Sequence, residues 1–219
     1  MAPARVIAGG GETFRLLRMT MALDTGEAGE SDEVLVARYA AGDRVAARLL
    51  TLRLVPRLLG FARRMLGGDG AEAEDVVQET LLRLWKAAPG WRPGEMQVRA
   101  WIYRVAGNLC TDRLRVQSRR RHQPMEAGEE VADGGASAAA QMLERDRMAA
   151  LQAGLDALPE RQRQAVILRH IEGLSNPEIA VAMEIGVEAV ESLTARGKRA
   201  LAAVLAGQKA ALGFEDEGV

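Results

Sequence analysis

Five side chains between Arg104 and Arg119 repeat at helical spacing and share one chemistry. Arg104, Asn108, Thr111, Arg115 and Arg119 are separated by steps of 4, 3, 4 and 4, which keeps them on one helix face for about four turns. Arg113, Arg120 and Arg121 add charge, so the segment from Arg104 to Arg121 holds six arginines against one acid, Asp112. A solvated face also carries charge, but solvated faces ordinarily mix signs. One-signed arginine with interleaved Asn and Thr suits a phosphate-binding stripe. Guanidinium groups neutralise phosphates and release counterions, and Asn can position the backbone or read a base edge.

A second stretch, "SNPEIAVAMEIGVEAVESLTARGKRAL", Ser175 to Leu201, reads as two short helices around a tight joint, the pattern of a helix-turn-helix. The second helix ends in Arg196, Lys198 and Arg199, yet carries Glu188 and Glu191 near its start. A third stretch has the opposite character. In "AEAEDVVQETLLRLWKAA", Val76, Val77, Thr80, Leu81, Leu84 and Trp85 form an apolar side, while Asp75, Gln78, Glu79 and Leu82 share the other. An acidic-polar patch around an exposed leucine suits a protein partner better than DNA; an ordinary outer face gives the same pattern. In the loop "PGWRPGEM", Trp91 reads as a plug at the base, while Arg92, Glu95, Met96 and Gln97 could line a pocket for an unstacked base.

Enzyme chemistry has little support in the sequence. His122 and His170 stand at no metal-ligand spacing from each other or from Cys110. His122 falls in a basic loop, and His170 ends an apolar helix, where a half-buried packing role is expected. The Gly9–Gly11 run lacks the following strand and Lys of a phosphate loop. No nucleophile signature, cofactor motif or small-molecule site is recognised. One cysteine excludes an internal disulfide and suits a reducing compartment. The net charge of −1 requires any nucleic-acid role to rest on local patches. No apolar run reaches the roughly 18 residues that span a bilayer, so no membrane insertion is expected. "VIAGGGETFRLL" is too short and glycine-rich for a signal peptide.

The elements that position these residues are all helical. Aromatics are only 4% of the 219 residues, and Ala, Leu, Val and Arg dominate, which favours helix over sheet. Residues 1–30 read as a disordered tail, in which Met19 and Met21 are alternative starts. Ser31 and Asp43 are expected N-caps, with helices over 33–42 and 44–66. Pro56 predicts a kink in the second. Gly67-Gly68 ends it, and a third helix follows Asp69 and Gly70 and stops at Pro89-Gly90. A long fourth helix covers 97–121, with Ile102, Val105 and Leu109 as its core stripe beside Trp101. Residues 122–140 are acidic, Gly/Ala-rich and aperiodic, a flexible linker. Helical pattern resumes near Gln141 and runs to about Leu158, and another helix begins at Pro159. The chain is thus expected to be all-α, with two small helical domains at 31–121 and 141–207, and an acidic tail over 208–219.

Taken together, "AEDVVQETLLRLW", "RAWIYRVAGNLCTDRLR" and "LDALPERQRQAVILRHIEGLSNPEIA", in that order, resemble the extracytoplasmic-function (ECF) sigma factors, the small members of the sigma-70 family of RNA polymerase sigma factors. The resemblance runs from about Ser31 to Val204. It implies a region 2 domain that binds core polymerase and the −10 element, and a region 4 helix-turn-helix that binds the −35 element. It further implies that Asp75, Gln78, Glu79 and Leu82 contact the clamp helices of the polymerase β′ subunit, with the β flap as a second contact. Trp91 and Arg92 fall in the loop that captures a flipped −10 base, a step costing a few kcal/mol of unstacking. Arg104, Asn108, Thr111, Arg113, Arg115 and Arg119 fall on the −10 helix, as do the aromatics Trp101 and Tyr103. Glu188, Glu191, Ser192, Arg196, Lys198 and Arg199 fall on the −35 recognition helix. The resemblance also implies promoter DNA and an anti-sigma factor as partners, no cofactor, and a bacterial cytoplasmic location, near the membrane where the anti-sigma factor is tethered there.

The chain departs from the family at Glu188 and Glu191, where a small residue or Lys is usual, and at Leu193, where a basic residue is usual. Leu193 is expected to pack inward, three residues after Val190. Two readings stay open for the glutamates: acceptors for a cytosine amine, or groups serving the helix dipole and solvent. Two further functions are a sigma-like decoy for an anti-sigma factor and a stand-alone helix-turn-helix regulator. A decoy would lose the basic stripe, which this chain keeps. A regulator would leave the acidic helix unexplained.

Overall fold

The computed structural model describes residues 30–92, 94, 97–120 and 138–206. The tails and the segment over 121–137, with His122 and most of the expected linker, lie outside the described residues; residues 138–140, read from sequence as the end of the linker, are helical. Among the described residues the secondary structure is helical and no strand occurs.

Four helices form the first module: α1 Asp32–Ala40, α2 Arg44–Met65, α3 Gly70–Ala87 and α4 Val98–Arg120. Their starts follow from local chemistry. Ser31 accepts from the Val34 N–H, Asp43 from Val45 and Ala46, and Asp69 from Glu72, which satisfies amide groups that a helix start leaves free. α2 runs as one helix through Pro56. α3 ends in the 3₁₀ turn Ala88–Gly90. The start of α4 is capped from a distance: the Glu33 carboxylate accepts the Val98 N–H at 3.1 Å.

The second module holds α5 Ala138–Asp156, α6 Glu160–Val166, α7 Asn176–Met183 and α8 Val187–Ala206. α6 continues as a π-helical turn, Ile167–Ile171, an irregularity that periodicity does not announce. α7 begins with a full capping box. Ser175 accepts from the Glu178 N–H, and the Glu178 side chain accepts from the Ser175 N–H. Glu184 then takes a left-handed backbone (φ 53°) and turns the chain into α8. Gly197 lets α8 approach α6, because a side chain there would strike Val166 and the Gln162 carbonyl.

The core is continuous from one module into the other. Leu50, Leu58, Phe61, Val76, Leu84, Ile102 and Tyr103 are buried in the first, and Leu155, Ile167, Leu168, Leu174, Ile179 and Val190 in the second. Each such burial is worth about 1.5–3 kcal/mol against exposure. Phe61 and Tyr103 meet edge to face at 5.2 Å. α4 is common to both modules: it packs on α2 and α3 in its own module and on α7 of the other.

Candidate nucleic-acid and protein interfaces

The stripe on α4 divides into an open and a covered part. Asn108, Arg115 and Arg119 are exposed. Arg115 has Asp112 3.6 Å away on its own helix. Arg104 is half-buried, with its Nη1 3.6 Å from Glu184 of the second module. The Thr111 hydroxyl donates to Glu160, also of the second module. Arg113 turns back to α3, where its Nε donates to Glu72 at 2.6 Å. Tyr103, an aromatic of the −10 segment by resemblance, is buried in the core, and its hydroxyl donates to Glu172 at 2.5 Å. Burial, with the Glu172 charge beside it, pushes the Tyr103 hydroxyl well above the ordinary tyrosine range.

At the loop, Trp91 is half-buried against Trp101, the rings edge to face at 5.8 Å. This is the plug expected from composition. The indole N–H is buried and without a hydrogen-bond partner among the described residues. Arg92 and Gln97 are exposed; Glu95 and Met96 lie outside the described residues.

Asp75, Gln78, Glu79 and Leu82 come together as the sequence pattern requires. They line one groove of about 430 Å³ with Arg83, Leu109 and Arg113. Leu82 is 44% exposed at its wall. Arg83 donates to Glu79 at 2.8 Å, which holds the Glu79 carboxyl below the usual range. Three lining residues escaped the sequence reading. Leu109 is a core-stripe residue by its spacing and is buried, with an edge on the groove; Arg113 belongs to the arginine segment of α4. Arg83 carried one usable signal, its position four residues after Glu79.

On α8, Val190 is buried and Leu193 is half-buried against the core, so the inward packing expected of Leu193 is found. Glu188, Glu191, Ser192, Arg196, Lys198 and Arg199 are exposed. Asn176 donates its side-chain amide to Glu191 at 3.3 Å, and Arg196 folds back onto the Ser192 hydroxyl at 2.9 Å and carbonyl at 3.2 Å. His170 corrects an expectation. It is exposed on the π turn, not half-buried packing. Desolvation by the protein on its one covered side, and then the charges of Lys198 and Arg169, hold it below the ordinary histidine range. No group of three or more His, Cys, Asp or Glu fit for a metal occurs among the described residues.

Comparison with known proteins agrees with this layout. The family model "Sigma-70 region 2" matches residues 50–120, and "Sigma-70, region 4" matches residues 148–201. The RNA polymerase sigma-H factor of Pseudomonas aeruginosa is 32% identical over 180 residues, covering 78% of this chain and 92% of that protein. The ECF RNA polymerase sigma-E factor of Escherichia coli K12 is 31% identical with the same coverage, 78% and 92%. The solved structure of CnrH in complex with the cytosolic domain of CnrY aligns with a TM-score of 0.60 at 28% identity, covering 81% of this chain and 99% of that one. Two sigma regions in order, on two helical modules, with relatives matched over nearly their whole length, place this chain in the sigma-70 family, among the ECF sigma factors.

Proposed function

We propose that this sigma factor directs core RNA polymerase to promoters through three surfaces. The groove of Asp75, Gln78, Glu79 and Leu82 takes the β′ clamp helices, and the second module takes the β flap. The α4 residues Arg104, Asn108, Thr111, Arg113, Arg115 and Arg119, with Trp91 and Arg92 of the adjoining loop, hold the melted −10 element. Glu188, Glu191, Ser192, Arg196, Lys198 and Arg199 face the −35 element. On this reading residues 31–121 and 141–207 are the functional domains, no cofactor takes part, and the chain acts by binding rather than by catalysis, in the bacterial cytoplasm. An anti-sigma partner fits the same reading, since CnrH, a similar structure, is bound by a cytosolic domain of a second protein.

The observation that carries the proposal is the groove. Four residues marked by sequence for a protein partner line one concave surface beside an arginine helix. The test is reconstitution with core polymerase. The wild-type chain should co-elute with core, and Asp75→Ala/Gln78→Ala/Glu79→Ala should lose that association while its circular dichroism stays native. Unchanged association in the triple variant would remove the groove from the interface.

A further inference from the structure

Glu188 and Glu191 stand one turn apart on α8, yet their settings differ. Glu188 is the acid of the first turn, where the positive end of the helix stabilises a carboxylate. Glu191 is the fifth residue of the helix that begins at Val187, and the dipole effect falls off within the first turn. Glu191 is exposed, and among the described residues no Lys or Arg pairs with it. Arg196, the next cation along α8, folds onto Ser192 instead. An unneutralised carboxylate at the DNA-facing end of a helix repels phosphates, so its presence there is unfavourable unless it meets a hydrogen-bond donor.

What holds Glu191 comes from the other helix of the pair. The Asn176 side-chain amide donates to Glu191 Oε1 at 3.3 Å, from the start of α7 to α8. Asn176 is itself fixed. It is half-buried. The Ser175–Glu178 capping box holds the backbone before it, and the ring of Pro177 restricts the backbone after it. Ile179 of α7 and Val190 of α8 are fully buried in the shared core, which sets the two helices against each other. One oxygen of the Glu191 carboxylate is thus taken, and the other keeps its acceptor capacity.

The four bases answer such a group differently. In the major groove cytosine presents an amine donor and no acceptor of its own. Guanine and thymine present acceptors, and adenine sets its N7 acceptor beside its amine. An ionised carboxylate only accepts, so cytosine matches it best. We infer that Asn176 is a positioning residue for −35 reading: it fixes one oxygen of Glu191 so that the other accepts the amine of one cytosine, while Glu188 serves the helix dipole. The chain is therefore specific for −35 sequences with a cytosine at the position that Glu191 faces.

This assignment rests on the −35 reading of α8 given above, and the experiment separates the two. Holoenzymes are assembled from core polymerase and full-length wild type, Asn176→Ala, Asn176→Asp, Glu191→Ala or Asn176→Ala/Glu191→Ala. Each selects sites from duplex DNA whose −35 segment is randomised upstream of a −10 region at which wild type initiates. Affinity for the site that wild type selects is then measured by fluorescence anisotropy. Wild type should prefer cytosine at one position by about tenfold over each other base. Glu191→Ala should flatten that position to within about twofold and leave the other positions as they are. Asn176→Ala should weaken both the cytosine preference and the affinity about threefold, because a carboxylate that is not held in place must be ordered on binding. Asn176→Asp sets a second carboxylate beside the first and should abolish the preference. In the Glu191→Ala background, Asn176→Ala should leave the affinity unchanged, the mark of a residue that acts through Glu191. Absence of a cytosine position that Glu191→Ala flattens, or full preference in both Asn176 variants, overturns the inference. An equal loss of affinity from Asn176→Ala with and without Glu191 also overturns it, because Asn176 would then support only the fold. Should Asn176→Asp fail to fold by circular dichroism, Asn176→Ala and the double variant decide. Wild-type holoenzyme that selects no −35 sequence would refute the −35 reading of α8; selection without a Glu191-dependent cytosine would refute this inference alone.

Discussion

Cys110 sits on α4 between Leu109 and Thr111, fully buried. Burial pushes its thiol up to about 12, so the thiolate needed for alkylation is scarce at neutral pH. The native chain should therefore resist iodoacetamide at pH 7.5 and react fully once unfolded, as mass spectrometry would show; fast reaction of the native chain would contradict the packing of α4. Glu191 is the proposed determinant of −35 choice. It is exposed on the first turns of α8, the end that enters the groove in a helix-turn-helix. Its contact with Asn176 leaves acceptor capacity for a base edge. Glu191→Lys should change the preferred −35 sequence, with about 1–3 kcal/mol riding on one base pair. Site selection from a randomised −35 library checks this, and identical preferences would assign Glu191 to solvent and the helix dipole. The shared face of Asp75, Gln78, Glu79 and Leu82 was legible from helical spacing alone. The placement of Tyr103 and His170 was not. Tyr103 packs on Phe61 of α2 and donates to Glu172, both distant in sequence, and His170 lies exposed on a π turn that leaves no periodic trace.

Helix boundaries followed from caps. Ser31, Asp43 and Asp69 sit where side-chain oxygens can take free amide groups, and the helices begin there. The Glu33 cap on α4 could not be read in advance, because Val98 is distant in sequence. Burial alone would raise the Glu33 carboxyl; hydrogen bonds from backbone amides, Val98 among them, outweigh it and hold the carboxyl below its usual range. A carboxylate with a lowered folded pKa adds stability above its unfolded pKa, and that stability is lost as pH falls through the folded value. Wild type should therefore lose stability in the acid range more steeply than Glu33→Gln, in denaturant titrations at stepped pH; parallel profiles would contradict the cap. The stripe itself makes a prediction at this scale. Arg115 and Arg119 are exposed on the open half of α4. Each Arg→Ala change should lower the salt slope of holoenzyme–promoter binding by about one unit. An unchanged slope would return these arginines to solvent.

At the scale of the whole molecule, the all-helical class and the order of the two modules were legible from composition, periodicity and the three linked motifs. Their packing against each other was not. Glu160, Glu172 and Glu184 sit in segments read as a helix start, a helix end and a turn, and nothing in their local pattern points across to α4. The modules share one buried core and several hydrogen bonds, yet sequence periodicity reports only which face of a helix is apolar, never which partner covers it. The molecule so described has one task, to give core polymerase a choice of promoter. The direct measurement is mapping of transcript starts with core polymerase alone, with core plus wild type, and with core plus the Asp75→Ala/Gln78→Ala/Glu79→Ala variant, on a genomic DNA library. The account predicts a defined set of starts sharing common −10 and −35 sequences that appears only with the wild-type chain and disappears with the variant. The same starts with core alone, or an undiminished set with the variant, would contradict it.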